Sequence, residues 1–334
     1  MKTINAFSID EALRLGIDLL KTEGIETESR GMRVLEIPEP VATTYHIPHN
    51  RVCFSPDRNA NPFFHIMEAM WILQGRKDVK FLCEFNKRMA EYSDNGETFH
   101  APYGYRLRVQ HGIDQIEDVI NLLSKKPDTR QAVMSIWDAV YDLGTVSKDI
   151  PCNDMLMFKI REGVLHMTVC NRSNDMLWGA YGANIVQFSF IQEYIASALG
   201  IGMGPYTQVS DSFHVYLDGP GGELWDKMKD ATIAIPDGMY AQSLLQIGEN
   251  IEDFNADLKR YFDYYDREGR YVPTESMVFR TAYFQRVISP LLAAWHYYKQ
   301  GKYSTAMSCA RAISCVQWGR ACKAWLERAI MNRG

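Results

Sequence analysis

The sequence lacks the features that assign a chain to several specialised classes. Its seven cysteines are an odd number and include no Cys-x-x-Cys pair, which favours free thiols in a reducing compartment over a disulfide framework. No metal-ligand spacing is found either, so no metal is expected. No stretch approaches the roughly eighteen apolar residues of a membrane span, and residues 1–7 contain no long apolar region. We therefore expect a cytoplasmic protein without membrane contact.

The chain also lacks an excess of basic residues. Its 36 Lys and Arg are outnumbered by 41 Asp and Glu, which argues against a surface that binds nucleic acid nonspecifically. An anionic ligand must then be bound by a local group of arginines. With 334 residues, 46% of them hydrophobic, the chain is long enough for one large core with an appendage, or for two domains.

Helical and strand patterns alternate through the first two thirds of the sequence. Ser8 is a candidate N-cap for an amphipathic helix from Ile9 to Thr22, and Asn61-Pro62 opens a mostly apolar helix that carries Glu68. The next predicted elements are a helix at 113–124, a buried strand at 131–137, a hairpin of strands 155–160 and 164–170, and a helix at 183–199. This alternation predicts an α/β or α+β fold.

The pattern changes near residue 220. Asp218-Gly219-Pro220-Gly221-Gly222 breaks the chain, and from Ile251 onward the pattern is helical. We therefore predict a core at 1–220 and a mostly helical C-terminal extension at 221–334 that packs on it. The aromatic residues of this extension are expected to pack between helices rather than to form a stacking surface, so no direct nucleic-acid partner is predicted.

The strongest chemical signal comes from Cys152 and from Arg172, twenty residues later. A cysteine attacks as its thiolate, and a guanidinium can both hold a phosphate and favour that anion. The predicted hairpin lies between the two residues and would bring both side chains into one neighbourhood. Taken alone, Cys152 would more often be a small buried residue, and the nearby Asp149 and Asp154 are read as solvated loop charges.

Several polar landmarks agree in order and spacing with a known family. They are Glu68 with Trp71, Pro102-Tyr103-Gly104, Asp128-Thr129-Arg130, Pro151-Cys152, Asn171 to Asp175, Gly179, Asn184 and Phe213-His214-Val215-Tyr216. In this order they resemble the thymidylate synthase family, including its branch of pyrimidine nucleotide hydroxymethylases, over roughly residues 10–220. The resemblance implies a mixed sheet with surrounding helices. It also implies transfer of one carbon from the co-substrate 5,10-methylenetetrahydrofolate to C5 of a pyrimidine nucleoside monophosphate.

The resemblance implies three catalytic residues. Cys152 is the nucleophile that adds to C6 of the ring and makes C5 electron-rich. Glu68 organises water and helps to open the folate imidazolidine ring, and Tyr103 lies where the C5 proton is removed.

The same resemblance implies the binding residues. They are Arg30, Arg130, Arg172 and Ser173 for the phosphate, His214 and Tyr216 for the sugar 3′-hydroxyl, Asn184 for the base, and Asp175 and Gly179 for the folate pterin. Arg130 would reach the phosphate of the neighbouring subunit, which implies a homodimer with shared sites. Synthases usually carry a second arginine after this one, where the present chain has Gln131.

Asn184 leaves the identity of the base open. An amide both donates and accepts, which suits uracil, whereas a carboxylate at this position would suit cytosine. The interval from Gly179 to Asn184 is one residue longer than the usual synthase motif and lacks its Pro-Phe. Both uracil and cytosine therefore stay as alternatives.

The product is predicted from what lines the last intermediate. The methylene left on the ring accepts either hydride, which gives a methyl group and dihydrofolate, or water, which gives a hydroxymethyl group. Synthases line this region with Trp-Asp-x-Trp and so exclude water, whereas here the stretch reads Met89-Ala90-Glu91-Tyr92. Asn153 also replaces a histidine, and no short apolar tail follows the core. These differences favour hydroxymethylation, and Ser173 beside Arg172, together with the His214-Tyr216 pair, favours a deoxynucleotide. A thymidylate synthase and a catalytically silent binding protein are the alternatives.

Overall fold

An eight-stranded mixed sheet organises the protein. The computed structural model describes residues 1–233, 238–240, 247–248, 250–274 and 277–332. Within them the strands are β1 (Lys2–Ala6), β2 (Ile25–Ser29), β3 (Met32–Ile37), β4 (Val41–Tyr45), β5 (Val133–Ser135), β6 (Asn153–Arg161), β7 (Val164–Asp175) and β8 (Gly202–Tyr216). The sheet order is β1-β4-β8-β7-β6-β5, and the β2–β3 hairpin joins it through β3 and β8.

Helices surround this sheet, which confirms the predicted α/β architecture. They are α1 (Ile9–Glu23), α2 (Pro62–Leu73), α3 (Val79–Phe85), α4 (Tyr103–Tyr105), α5 (Gln115–Lys125), α6 (Ala139–Asp142), α7 (Ile185–Ala198), α8 (Gly219–Met228), α9 (Ile251–Glu268), α10 (Ser289–Lys299), α11 (Tyr303–Arg311) and α12 (Val316–Met331). Wider helical turns at Arg106–Gln110, Met176–Asn184 and Phe284–Ile288 adjoin α4, α7 and α10. Among the described residues we find no helix with the length and apolar character that a bilayer crossing requires.

Two strand pairings determine where the site forms. β6 and β7 are antiparallel, as the predicted hairpin requires, whereas β7 and β8 are parallel. The start of β6 and the ends of β7 and β8 therefore lie at the same edge of the sheet. Cys152, which precedes β6, and the segments that end β7 and β8 are therefore brought to that edge.

Local capping explains why α1 and α2 begin where the sequence predicts. The Ser8 hydroxyl accepts a hydrogen bond from the Glu11 backbone N–H at 3.2 Å, and Asn61 Oδ1 accepts from Phe63 and Phe64 at 3.0 and 3.2 Å. Each side chain thus satisfies helix-end donors that would otherwise be unpaired. Because α2 is buried on all sides, this cap also fixes the position of Glu68.

The C-terminal helices pack on α2 and α3. The Trp295 ring lies 5.3 Å from that of Phe63 and 5.9 Å from that of Phe85, and its Nε1 donates to the Glu84 carbonyl at 3.0 Å. Most aromatic side chains of this region are buried in the same apolar cluster as the sheet. They therefore form helix–helix core, as predicted, and not an exposed stacking surface.

Two local predictions were wrong. The strand at 131–137 is the short edge strand β5, in which Val133 and Ser135 are exposed and only Met134 is buried. The chain does not break at Asp218 to Gly222, because α8 begins at Gly219.

Candidate active site

The sheet edge described above brings the predicted nucleophile and ligands together. Cys152 precedes β6, while Arg172 and Asp175 end β7. In the parallel pairing of β7 with β8, Asp175 lies opposite His214. The predicted sugar ligands His214 and Tyr216 therefore lie beside the predicted phosphate and folate ligands, as the sequence interpretation requires.

Arg172 holds the loop that carries Cys152. Its Nε donates to the Pro151 carbonyl at 2.8 Å and its Nη2 to the Ile150 carbonyl at 3.2 Å. The same Nη2 lies 4.0 Å from Cys152 Sγ. One guanidinium therefore positions the thiol and places a positive charge beside it, which the sequence indicated only by spacing.

The ionisation of Cys152 departs from the simple expectation. Burial raises the pKa of the thiol above its ordinary value, while the positive charges of Arg172 and Arg30 oppose that rise. The burial effect is the larger, so the arginines do not make Cys152 a thiolate in the free protein. Arg172 favours the anion, as expected, but desolvation disfavours the charged form and has the larger effect on the pKa of Cys152.

Glu68 is a buried carboxylate with unused bonding capacity. It is 6% exposed, and its Oε2 has no hydrogen-bond partner among the described residues. Burial raises the pKa of Glu68 to about 7, with an opposing contribution from a hydrogen bond to Gln187. A carboxyl group poised near neutral pH and facing a cavity can bind water or exchange a proton.

Tyr103 reaches the same cavity because Gly104 follows it. A Cβ at position 104 would lie 2.1 Å from the Ile72 carbonyl oxygen of α2, so only glycine permits this close approach. Burial raises the pKa of the Tyr103 phenol, and the negative charge of the Asp149 carboxylate acts in the same direction. The phenol therefore stays protonated and can donate a hydrogen bond.

Two cavities meet at Glu68. The smaller, of about 220 Å³, is lined by polar and aromatic side chains that include Glu68, Trp71, Tyr103, Asp149, Asn184 and Gln187. The larger, of about 720 Å³, is open to the surface and is lined by residues that include Arg30, Arg58, His65, Glu68, Trp178 and Tyr216. Met89 and Tyr92 line both cavities. The stretch that differs from the synthase pattern therefore lies at the site.

A chain of buried amides orients Asn184. The Ala180 carbonyl can only accept, so Gln208 donates to it through Nε2 at 3.1 Å. Gln208 Oε1 then accepts from Asn174 Nδ2 at 3.3 Å, and Asn174 Oδ1 accepts from Asn184 Nδ2 at 3.0 Å. This order leaves Asn184 with a free carbonyl oxygen and one N–H.

Gly179 makes room for the last of these hydrogen bonds. A Cβ at position 179 would lie 2.7 Å from Asn174 Oδ1 and 3.5 Å from Asn184 Nδ2. The predicted contact of Gly179 with a folate stays a prediction. Its close approach to the amide pair is a second reason for glycine here, which the sequence did not indicate.

The remaining predicted phosphate ligands differ in position. Arg30 is exposed in the β2–β3 turn, lines the larger cavity and acts electrostatically on Cys152. Ser173 lies opposite Ser212 in the β7–β8 ladder. Arg130 is exposed ahead of β5 and is not among the described residues that line either cavity. Its predicted role in a neighbouring subunit therefore stays a prediction.

The sugar and folate ligands lie at the ends of β7 and β8. The His214 and Tyr216 rings contact each other edge to face with centroids 5.4 Å apart. His214 Nδ1 is 3.1 Å from the Ser212 hydroxyl. Asp175 accepts a hydrogen bond from the Trp178 N–H at 2.6 Å, and burial raises its pKa. The carboxylate of Asp175 thus caps the helical turn that leads to Asn184.

The sequence interpretation missed three residues of the site. Asp149 is not a solvated loop charge, because it is partly buried, lines the smaller cavity and has its pKa raised by burial to about 6. Arg58 and His65 are buried and line the larger cavity. For Asp149 the available signal was its position three residues before the nucleophile. Arg58 lies in a loop without any periodic pattern.

Known proteins of similar sequence support a family assignment. A family model described as thymidylate synthase matches residues 20–267. Deoxyuridylate hydroxymethyltransferase of Pseudomonas phage M6 is 38% identical over 342 aligned positions, covering 98% of this chain and 94% of that protein. The protein of the same name from Bacillus phage SP01 is 43% identical, covering 67% of this chain and 62% of that protein. A putative thymidylate synthase of Methanosarcina barkeri is 31% identical, covering 64% and 89%. The chain therefore belongs to the thymidylate synthase family.

Proposed function

We propose that the protein is a deoxyuridylate hydroxymethylase. It transfers the one-carbon unit of 5,10-methylenetetrahydrofolate to C5 of dUMP and adds water, which gives 5-hydroxymethyl-dUMP and tetrahydrofolate. The observation that carries this proposal is the approach of Cys152 Sγ to Arg172 Nη2 at 4.0 Å. This approach pairs a nucleophile with a phosphate-binding group, and Asp149, three residues before Cys152, lines the cavity that contains Glu68 and Tyr103.

The orientation of Asn184 supports uracil as the base. Its free carbonyl oxygen can accept from N3–H of uracil, and its remaining N–H can donate to O4. Cytosine presents the opposite order, an acceptor at N3 and a donor at N4. Since the amide chain from Ala180 opposes a flip of Asn184, dUMP is the preferred substrate. The names of the phage M6 and SP01 relatives agree with this choice.

The cavity lining supports water as the final acceptor of the methylene. Met89 and Tyr92 line the two cavities, and the exposed fraction of Tyr92 is 47%. A flexible thioether and a half-exposed phenol leave a path for water that two tryptophans would block.

The larger cavity fits the folate co-substrate. Its volume of about 720 Å³ suits a drug-sized ligand. The Trp178 ring lies 4.6 Å from the Arg58 guanidinium carbon, so this wall offers both a flat aromatic surface and a buried positive charge. These groups suit a planar pterin and a glutamate carboxylate. The unpartnered Glu68 oxygen, where the two cavities meet, suits a polar ring atom of the same ligand.

Arg130 is included in the proposal as a ligand of the neighbouring subunit's phosphate. Val133 and Met155 lie on one face of the sheet, and their side chains are 47% and 39% exposed. Their register places Met157 and Cys170 on the same face. A homodimer formed through this apolar face would cover it and would bring Arg130, which precedes β5, toward the second site.

One assay tests the substrate and the product together. The protein is incubated with methylenetetrahydrofolate and dUMP, dCMP, UMP or CMP, and the nucleotide product is identified by mass while dihydrofolate is followed by absorbance. We expect 5-hydroxymethyl-dUMP without dihydrofolate. Dihydrofolate formed in step with product would instead identify a thymidylate synthase, and no turnover of any nucleotide would favour a silent binding protein.

Replacing Cys152 by alanine is expected to abolish turnover and the release of tritium from 5-tritiated dUMP. Both need the covalent bond at C6, because C5 alone is too poor a nucleophile. Cys309 is also only partly buried and lies in α11, so Cys309→Ala is the matched control and should keep both signals. Tritium release by Cys152→Ala at the wild-type rate would show that the nucleophile is another residue.

Subunit mixing tests the proposed role of Arg130. Neither Cys152→Ala nor Arg130→Ala homodimers should turn over dUMP at a normal rate. In a hybrid dimer, one site combines an intact Cys152 with the partner's intact Arg130, so mixing should restore activity. A mixture that exchanges subunits yet stays inactive would contradict a shared site.

A further inference from the structure

Asp149 is a carboxylate at the site, and the reaction outlined above assigns no role to it. It lies three residues before Cys152 and lines the smaller cavity together with Glu68 and Tyr103. Its Oδ2 accepts a hydrogen bond from the Ala101 N–H at 2.8 Å, and its own N–H donates to the Ser147 hydroxyl at 3.1 Å. These bonds fix the side chain, and its Oδ1 has no hydrogen-bond partner among the described residues.

The cavity that Asp149 lines suits a few ordered waters. Its volume is about 220 Å³, whereas one water occupies about 30 Å³ in the liquid. Asp149, Glu68, Tyr103, Asn184 and Gln187 supply its polar groups. Trp71, Met89 and Phe99 form much of its apolar wall. A water held here has several polar partners, which is the condition for ordering it.

The two carboxyl groups of this cavity differ in their tendency to hold a proton. Burial raises the pKa of Asp149 to about 6 and that of Glu68 to about 7. Near neutral pH, Asp149 is mostly ionised and more basic than an exposed aspartate, while Glu68 is about half protonated. Environments that separate the pKa values of neighbouring acids assign them to different proton transfers.

We propose that Asp149 holds the water that adds to the exocyclic methylene and accepts its proton as the new C–O bond forms. This inference rests on the proposed function. The water oxygen bonds to the methylene carbon, and the electrons of the exocyclic double bond move into the ring as an enolate. The enolate then re-forms the C5–C6 double bond, the bond from C6 to Cys152 Sγ breaks, and the thiolate leaves. Asp149 returns its proton to solvent.

The Asp149→Asn variant tests this role because it separates the two halves of the reaction. Its Oδ atom can still accept from the Ala101 N–H, so the loop keeps its anchor while the base is lost. Tritium release from 5-tritiated dUMP precedes water addition and reports the first half. In a single turnover, with enzyme in excess over dUMP, we expect release to stay within severalfold of wild type, while the hydroxymethyl product formed per tritium released by the time release is complete falls about 10²-fold.

An added thiol measures the intermediate that should accumulate. The exocyclic methylene is an acceptor for nucleophiles, so 2-mercaptoethanol would trap it as a thioether on the C5 methylene, detected by mass. We expect this adduct to increase in Asp149→Asn and to decrease again in Asp149→Glu, which restores a carboxylate. Asp154→Asn is the matched control, because Asp154 also has its pKa raised by burial to about 6 but does not line the cavity.

The possible outcomes are distinguishable. If Asp149→Asn loses tritium release and product in parallel, or if its product-to-tritium ratio equals that of wild type, Asp149 is not the base for water addition. An equal fall of that ratio in Asp154→Asn would show a general charge effect and would also overturn the proposal. Wild-type protein that releases tritium but forms only methyl product would contradict the proposed function itself.

Discussion

Burial controls the acid–base behaviour of this site more than neighbouring charges do. For Cys152, Glu68 and Asp149 the largest influence on the pKa is desolvation, which raises it in each case. Near neutral pH the site therefore holds Glu68 about half protonated, Asp149 mostly ionised but more basic than an exposed aspartate, and its nucleophile as a thiol. Nucleotide and folate binding must then supply the contacts that release these protons in order.

Replacing Glu68 by glutamine is expected to stabilise the protein near pH 8 and to change its stability little near pH 4. Burial raises the carboxyl pKa from 4.5 to about 7, so the folded state binds the proton more tightly than the unfolded state. The free energy of unfolding of the wild type therefore falls as the pH rises from 4.5 to about 7. The total decrease is up to about 3 kcal/mol. Because glutamine has no carboxyl group to ionise, the free energy of unfolding of the Glu68→Gln variant does not fall in this way.

Urea unfolding of wild type and Glu68→Gln at both pH values measures the effect. Glu117→Gln provides the control, because Glu117 is exposed in the first turn of α5 and should show no such pH dependence. A Glu68→Gln difference that is the same at both pH values would mean that the Glu68 pKa is not raised in the folded state.

Gly179→Ala is expected to weaken the recognition of uracil. The added Cβ would lie 2.7 Å from Asn174 Oδ1, so the hydrogen bond that orients Asn184 must lengthen or break. Losing an oriented buried amide costs about 1–3 kcal/mol, or about 10- to 100-fold in kcat/KM for dUMP. Discrimination against dCMP should fall with it.

The kcat/KM values for dUMP and dCMP check this prediction. Gly202→Ala is the matched control, since a Cβ there would meet only a Val164 methyl at 3.3 Å, and both kinetic values should stay near wild type. If Gly179→Ala kept the full preference for dUMP, the amide chain would not be what selects the base.

At the residue scale, the sequence was more informative about which side chains are candidates for the site than about their burial and their pKa values. Cys152, Glu68 and Arg172 were predicted as site residues from motif order and the resemblance that it carries. The direction of the Cys152 pKa and the burial of Asp149 could not be found in this way. They depend on segments distant in sequence, such as α2 and the turn at Tyr103, that exclude water from the same cavity.

Among the elements, α2 connects stability most directly to the site. Asn61 caps it through Oδ1 and also donates from Nδ2 to the Phe85 carbonyl of α3 at 3.1 Å. One side chain thus ties the start of α2 to the end of α3. Since Glu68 lies in the middle of α2 and Met89 follows α3, this link sets the distance between two walls of the site.

Asn61→Ala is expected to lower the free energy of unfolding by about 1–2 kcal/mol, because the cap and the bond to α3 are both lost. Asn61→Asp keeps the capping acceptor and loses only the donor, so it should cost less. Since Asn61 also lines the larger cavity, chemical denaturation without ligand is the measurement. Equal losses in both variants would show that capping contributes little here.

Element prediction succeeded where a local pattern determines the structure. The starts of α1 and α2 follow from Ser8 and Asn61, whose caps depend only on adjacent residues, and the β6–β7 hairpin follows from alternation. The burial of β5 could not be predicted, because Val133 has a neighbouring strand on one side only. An apolar residue at a sheet edge has the same sequence signal as one in the centre.

At the scale of the whole molecule, the predicted boundary near residue 220 raises the question of whether residues 221–334 fold separately from residues 1–220. The family match extends to residue 267, and α10 and α12 cover the outer side of α2 through Trp295 and Trp325. We propose that residues 221–334 are an extension in sequence but part of one cooperative folding unit. A chain ending at residue 220 should then expose Phe63 and Phe81 and fail to fold as a soluble unit.

Trp295→Ala is expected to destabilise the whole protein and not the C-terminal helices alone. The side chain is 5% exposed and contacts Phe63, Phe85 and Trp325, so its removal should cost about 3–5 kcal/mol. Because these contacts join α10 to α2, calorimetry should show a single transition at lower temperature, with dUMP binding lost in the same transition. Tyr297→Ala, on the same helix but only partly buried, should cost less. A separate early transition that leaves dUMP binding intact would mean that residues 221–334 unfold independently.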